Sequence, residues 1–221
     1  MSRRCRRRKA RSLEDAKERR HGTLSLVIAL AGSREAVVGG DRRSIAFLGS
    51  CPKLEEELYS GRIRNDQELL ARARELGASL QVSDGREKVW KNEDVLVGEV
   101  REISLNFERR RRIYVVPGAH LIVDIIGGEA RITGRGKVGC IVLGNRFTQK
   151  LAGEGVGRAK GRVDEQLIKD ILAKAGEKTA SVSREHTVQR CDVMQLDPEA
   201  ALLSALKEDC EKSGWRLCGL R

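Results

Sequence analysis

Nothing in this chain approaches the about 20 consecutive apolar residues that a membrane-spanning helix requires, so a helical span is not expected. The six cysteines (Cys5, Cys51, Cys140, Cys191, Cys210, Cys218) include no C-x-x-C pair, and the three histidines (His21, His120, His186) stand at no metal-ligand spacing. A structural zinc site and a His-based catalytic triad are therefore not expected, and no metal or cofactor is called for. Scattered thiols fit a reducing compartment, so a cytoplasmic location is expected. The phosphate-loop pattern G-x-x-x-x-G-K-[ST] is missing, although 153–161 is rich in glycine and contains Arg158 and Lys160. No internal repeat is visible. What is present is a chain of 221 residues, 40% of them apolar, enough for one domain with a real core.

The net charge of +11 points at first toward nucleic acid or an anionic surface, but its distribution weakens that reading. Ten Lys/Arg against three acids lie within residues 1–22, so more than half of the excess sits there. This extension reads as disordered or absent from the mature chain, with at most salt-sensitive, non-specific affinity for nucleic acid. A signal peptide is the competing reading, because the apolar run Leu24–Ala31 follows. The long basic region with its acids, the short run, and the partner strand after it argue against that.

Ser25–Ala31 is rich in strand formers, Gly32-Ser33-Arg34 signals a turn, and Ala36–Asp41 returns as a second strand. A hairpin centred on Ser33 sets Ser25 opposite Asp41. A third strand is expected at Ser44–Leu48 and a short helix at Pro52–Tyr59. Asn65 caps the next helix with Glu68 as its capping-box partner, and Gly77 stops it. Short apolar runs then predict strands at Leu80–Val82, Val95–Val100, Ile113–Val116, His120–Ile126 and Val138–Leu143, with Arg109–Arg112 read as a solvated loop. Asn145 caps a helix through Ala152. After a Gly-rich stretch at 153–162, one face of Val163–Ala175 is apolar. A strand at Thr187–Met194 and a helix at Glu199–Lys212 complete the chain. Strands and helices in blocks argue for α+β with antiparallel sheet, and two sheets stacked between helical layers satisfy the order.

The hairpin, ending in Ala36-Val-Val-Gly-Gly-Asp41 and followed by Arg42 and Arg43, resembles that of proteasome-type N-terminal-nucleophile (Ntn) hydrolases. The blocks Leu54–Gly61 (LEEELYSG), Asp94–Val100 (DVLVGEV) and Arg110–Gly118 (RRRIYVVPG) resemble the connectases of methanogenic archaea, protein ligases distantly similar to the proteasome. The resemblance implies an Ntn-hydrolase-like αββα sandwich over 25–196. It implies that 197–221 is a C-terminal helix left from a small C-terminal domain. It implies Ser25 as nucleophile, Asp41 as the acid that orients a neighbouring cation, Arg43 as the second basic residue after it, and a catalytic lysine for which Lys53 is the nearest candidate.

The chemistry suits these residue types. A terminal Ser has its own α-amine, of reference pKa about 7.7–8.0, within reach of its hydroxyl, so one residue supplies nucleophile and base. The implied activity is attack on a Lys-Asp-Pro-Gly-Ala motif of a partner protein and transfer of the acyl segment to an amine. The family partner is the A subunit of the methanogenesis methyltransferase. Alternatives are hydrolysis by the same nucleophile, or a non-catalytic Ntn-like protein whose basic tail binds nucleic acid or a partner. All catalysis depends on Ser25 becoming the first residue, through initiation at Leu24, through cleavage at Leu24-Ser25, or not at all in an inactive relative. Cleavage before Thr23 would set the nucleophile out of register with Asp41. The oligomeric state is left open.

Overall fold

The computed structural model describes residues 25–104, 107–159 and 164–219. The basic extension with Thr23, and residues 160–163 of the Gly-rich stretch, lie outside them. Three sheets and five helices make up the described residues. The first sheet joins β1 (Leu26–Ala31), β2 (Ala36–Asp41), β10 (Gly139–Gly144) and β11 (His186–Cys191) in the antiparallel order β10-β1-β2-β11. The second runs β12-β9-β8-β7-β6-β5 through β5 (Val89–Asn92), β6 (Val95–Ser104), β7 (Phe107–Val116), β8 (Ala119–Ile126), β9 (Glu129–Gly136) and β12 (Arg216–Cys218). Its β12 is parallel to β9. A two-stranded sheet pairs β3 (Ser44–Phe47) with β4 (Leu80–Ser83).

The two large sheets pack face to face. Val27, Ala29, Ala31, Ala36 and Val38 from the first meet Val89, Leu96, Val100, Ile113 and Val115 from the second. Residues of alternate parity, Leu26, Ile28, Leu30 and Val37, face the other way onto α3 (Arg146–Arg158) and α4 (Glu165–Lys178) through Ala152, Ile168, Ile171 and Leu172. Both faces of β1 and β2 are thus buried, and these strands read as continuous apolar runs for that reason. On the far side of the second sheet, α5 (Pro198–Ser213) seats Leu202, Ala205, Leu206 and Cys210 on Val97, Tyr114, Val123 and Ile125. The order of layers is helices, sheet, sheet, helix. The helix expected within 197–221 is therefore one layer of the same body. Helices α1 (Pro52–Tyr59) and α2 (Asp66–Glu75) close a separate cluster with Ile63 and Ala180.

Close approach explains the paired glycines before Asp41. A Cβ on Gly39 would lie 2.5 Å from Ile168, and one on Gly40 would lie 2.9 Å from Val89, so the pair admits the α4 layer on one side and the second sheet on the other.

Several sequence expectations need correction. The hairpin centres between Ser33 and Arg34, with Gly32 N–H bonded to the Glu35 carbonyl, and Val27 pairs with Gly40. Continued outward, that register sets Asp41 opposite Leu26, one residue from the expected Ser25. Arg109–Arg112 is no loop but the middle of β7, paired with β6 and β8. Helix α3 runs through the expected Gly-rich break to Arg158, because Gly155 lets Ile171 approach where a Cβ would be only 2.7 Å away. β11 stops at Cys191 rather than Met194.

Candidate active site

Strand β2 ends on Asp41, whose fully buried carboxylate receives four donors. Oδ1 accepts from the backbone N–H of Leu26 at 2.8 Å and the ammonium of Lys88 at 2.7 Å; Oδ2 accepts from the N–H groups of Arg43 at 2.8 Å and Ser183 at 3.3 Å. The short-range bond to Arg43 is an Asp-turn contact, the kind that makes Asp common at strand ends. The others come from across the fold. A carboxylate with three backbone donors and a lysine is as fully satisfied as a buried anion can be.

Lys88 sits immediately before β5 and is 2% exposed. Burial pushes its pKa below the ordinary lysine value, and attraction to Asp41 offsets this only in part. The result is a dry lysine that gives up its proton more readily than a surface one. Ser25 directly precedes Leu26, is 3% exposed, and turns its carbonyl toward Gly144, where a Cβ would lie 2.9 Å away. The start of β1, the end of β2 and the start of β5 therefore meet at one end of the sheet sandwich.

Arg43 holds that end together without offering its guanidinium to Asp41. The side chain makes five hydrogen bonds: two to Asp84, two to Asp66 and one to the Ala180 carbonyl. The bond to Asp84 raises its pKa above the ordinary value, burial opposes this, and Asp66 adds to the rise. These bonds tie β2 to the turn before Lys88, to the first turn of α2, and to the segment before β11. Around them lies a shell of buried hydroxyls. Thr179 and Ser181 are 3.0 Å apart at their oxygens, Asn145 donates to Ser181 at 3.4 Å, and the Ser183 hydroxyl accepts from the Arg42 N–H at 2.9 Å.

Of the four residues expected at the site, Ser25, Asp41 and Arg43 come together, and Lys53 does not. Lys53 is exposed in the first turn of α1. The lysine at Asp41 is Lys88, which sequence reasoning passed over. Its only local signal is a lysine between the Asp84-Gly85 turn and the apolar pair Val89-Trp90.

The model of the family described as Connectase MJ0548-like, N-terminal domain, matches residues 24–211. The chain belongs to the connectase family. No curated protein sequence matches it. Among solved structures, the eukaryotic HslV of Trypanosoma brucei matches with 13% identity over 76% of this chain and 99% of that one, at a TM-score of 0.43. Among the described residues of this connectase, no helix is long and apolar enough to cross a membrane.

A second buried charge network in the connectase chain lies on the outer face of the second sheet. Arg112 bonds Glu99 at 2.6 Å and Asp209 of α5 at 2.8 Å, and Tyr114 donates to the same Asp209 oxygen at 2.8 Å. The Arg112 guanidinium lies 4.5 Å from the Trp215 ring centre and 5.0 Å from that of Trp90, within cation–π range of both. Arg101 joins Glu99 as well. Burial works against the Glu99 charge, but Arg112 and Arg101 carry its carboxyl below the ordinary range.

Proposed function

We propose that the protein is a proteasome-related acyl transferase in which Ser25, as the first residue of the active chain, attacks a peptide bond in a partner protein and passes the acyl segment to an amine. The observation that carries this reading is the buried Asp41–Lys88 pair at the start of β1. A neutral or readily deprotonated lysine beside a serine hydroxyl favours the alkoxide, and the carboxylate holds the lysine in place. The four-layer packing supports an Ntn-type arrangement, and family membership supports a protein substrate of the Lys-Asp-Pro-Gly-Ala type, such as the A subunit of the methanogenesis methyltransferase.

The Ser25 hydroxyl proton moves to the α-amine of Ser25 or to Lys88, and Oγ adds to the substrate carbonyl. The C–N bond breaks, the departing amine takes up that proton, and an ester to Ser25 remains. A second amine attacks the ester, forms the new amide and returns the proton to Ser25 Oγ. Only the acceptor separates this from hydrolysis, so exclusion of water decides the outcome.

The test is transfer of a labelled Lys-Asp-Pro-Gly-Ala peptide to a second amine by protein that begins at Ser25. Intact mass should show an acyl-enzyme, and Ser25→Ala should abolish both it and transfer. Free acid without amide product assigns a hydrolase. No ester and no product with an exposed Ser25 removes the enzymatic reading.

A further inference from the structure

The end of the sandwich away from Ser25 carries apolar surface that the described residues leave uncovered. Gly139, Ala31, Ala36 and Cys191 lie in one row across the first sheet, at the end of β1 and roughly 17 Å from its start. Val138 leads into that row and is 61% exposed; Val193 and Met194 follow it and are 43% and 59% exposed. The same strap continues to Leu196, which is fully exposed two residues before α5. Of the seven large apolar side chains exposed among the described residues, four thus gather at this end. Single exposed apolar residues need no explanation, but a gathered set marks an interaction face.

Beside Leu196 the face has a hollow of about 160 Å3, between the first turns of α5 and the turn that joins β9 to β10. Leu121, Leu202 and Leu203 make its floor, and His120, Arg135 and Lys137 its rim. The His120 ring fills the place that a Cβ on Gly136 would need, and its Nδ1 lies 3.0 Å from the Lys137 carbonyl, so the sheet itself shapes this rim. An apolar cavity of about 150 Å3 holds one benzene-sized group. Arg135 and Lys137 make no ion pair with the described residues, and neither does Glu199 in the wall. Leu196, by contrast, stands between two exposed acids, Asp192 and Asp197. It does not fill the hollow of its own chain, because it is fully exposed.

We infer that this end is a self-association face, on which two copies of the chain pair about a two-fold axis and each lays Leu196 in the hollow of the other. An apolar side chain flanked by acids meets an apolar floor rimmed by cations, so the arm and the hollow match in charge as well as in polarity. Arm and hollow adjoin on one surface, so the contact is reciprocal and the pair closes rather than growing into a filament. Val138, Val193 and Met194 add apolar area around the two arms. The Ser25 ends lie at the opposite poles of such a pair and stay open. The inference does not depend on the reading of Ser25 as nucleophile.

The experiment is sedimentation velocity on the full chain and on the form beginning at residue 25, from micromolar concentrations upward. Both should show a monomer–dimer equilibrium with nothing larger. Leu196→Asp should raise the dimer Kd roughly thirtyfold or more, the scale of one interface hot spot, with the thermal melt unchanged because the side chain is free of the fold. Arg135→Glu combined with Lys137→Glu should weaken pairing from the side of the hollow. Adding Asp192→Lys to that variant should recover part of the affinity, which damage to the fold would not do. Monomer throughout in both forms, pairing that ignores Leu196→Asp, or assemblies beyond two copies overturns the proposal. A full chain that stays monomeric while the form beginning at residue 25 pairs assigns the face to the chain's own extension and overturns it as well.

Discussion

Two buried ion networks of this protein look alike on paper and differ in what they can do. At the Ser25 end, Asp41 holds a lysine whose proton is loosened by burial. On the outer face, Glu99 and Asp209 hold an arginine between two indoles. For Arg112, burial opposes the charge, yet Glu99 and Tyr114 carry its pKa above the ordinary value. Arginine stays charged at any accessible pH and presents a planar fork, while lysine is a point charge whose pKa moves when it is dried out. In the proposed reaction the first network exchanges a proton with the Ser25 hydroxyl; the second latches α5 and Trp215 onto the sheet. On that proposal the choice of cation separates chemistry from scaffolding.

The sharpest way to break this comparison is to swap the cations. Lys88→Arg keeps a charge on Asp41 but supplies no loosened proton, so transfer should fall by about a thousandfold, within the range for removing an acid–base group. Arg112→Lys should leave kcat intact. If Lys88→Arg keeps most of its activity, the lysine is a strut and the contrast fails.

Breaking each pair should also differ in its consequence. Asp41→Asn leaves a buried ammonium without its counter-ion and should cost about 3–5 kcal/mol by urea denaturation, while Asp41→Asn with Lys88→Met should recover much of that. Transfer should be lost in both. Arg112→Met should cost about 3 kcal/mol, weaken the hold on α5, and leave transfer in place. A change in the fluorescence of Trp90 and Trp215, the two indoles against Arg112, would report the loosened helix.

The smallest effects are those of pH; both groups make stability rise with pH, Lys88 in the alkaline range and Glu99 in the acid range. Lys88 has a folded pKa below its ordinary 10.5, so at pH values between the two the unfolded chain binds the additional proton and stability from this group rises with pH. Glu99 is held below its ordinary 4.5, so its contribution is complete above that value and is lost as pH falls through the folded pKa. Stability measured against pH should lose its alkaline rise in Lys88→Met and part of its acid fall in Arg112→Met.

Where local signals were strong, sequence and structure agree. Asn65 and Asn145 accept from the backbone N–H three residues on, as helix caps should. Pro52–Tyr59 is a helix with the expected bounds. The misses share one cause. Arg109–Arg112 read as a solvated loop between two strands; in the sheet they alternate between faces, where Asp124 answers Arg109 and Arg111, and Glu99 and Asp209 answer Arg112. The glycines of α3 read as a break because their propensity is poor, and packing on Ile171 outweighs it. β9 (Glu129–Gly136) is polar on its outward face and carries little apolar signal of its own.

The sequence by itself determined the terminal strand pair, the helix caps, the α+β class and the presence of Ser25, Asp41 and Arg43 at spacings that a hairpin brings together, because each depends on contacts a few residues apart or on a pattern of fixed period. Only the tertiary structure decided the one-residue register of that hairpin and the partner of Asp41. Lys88 lies 47 positions from Asp41, a separation across which local propensity carries no information. Which lysine becomes dry enough to loosen its proton is set by where the two sheets close on each other, and that closure is a property of the packed sandwich alone.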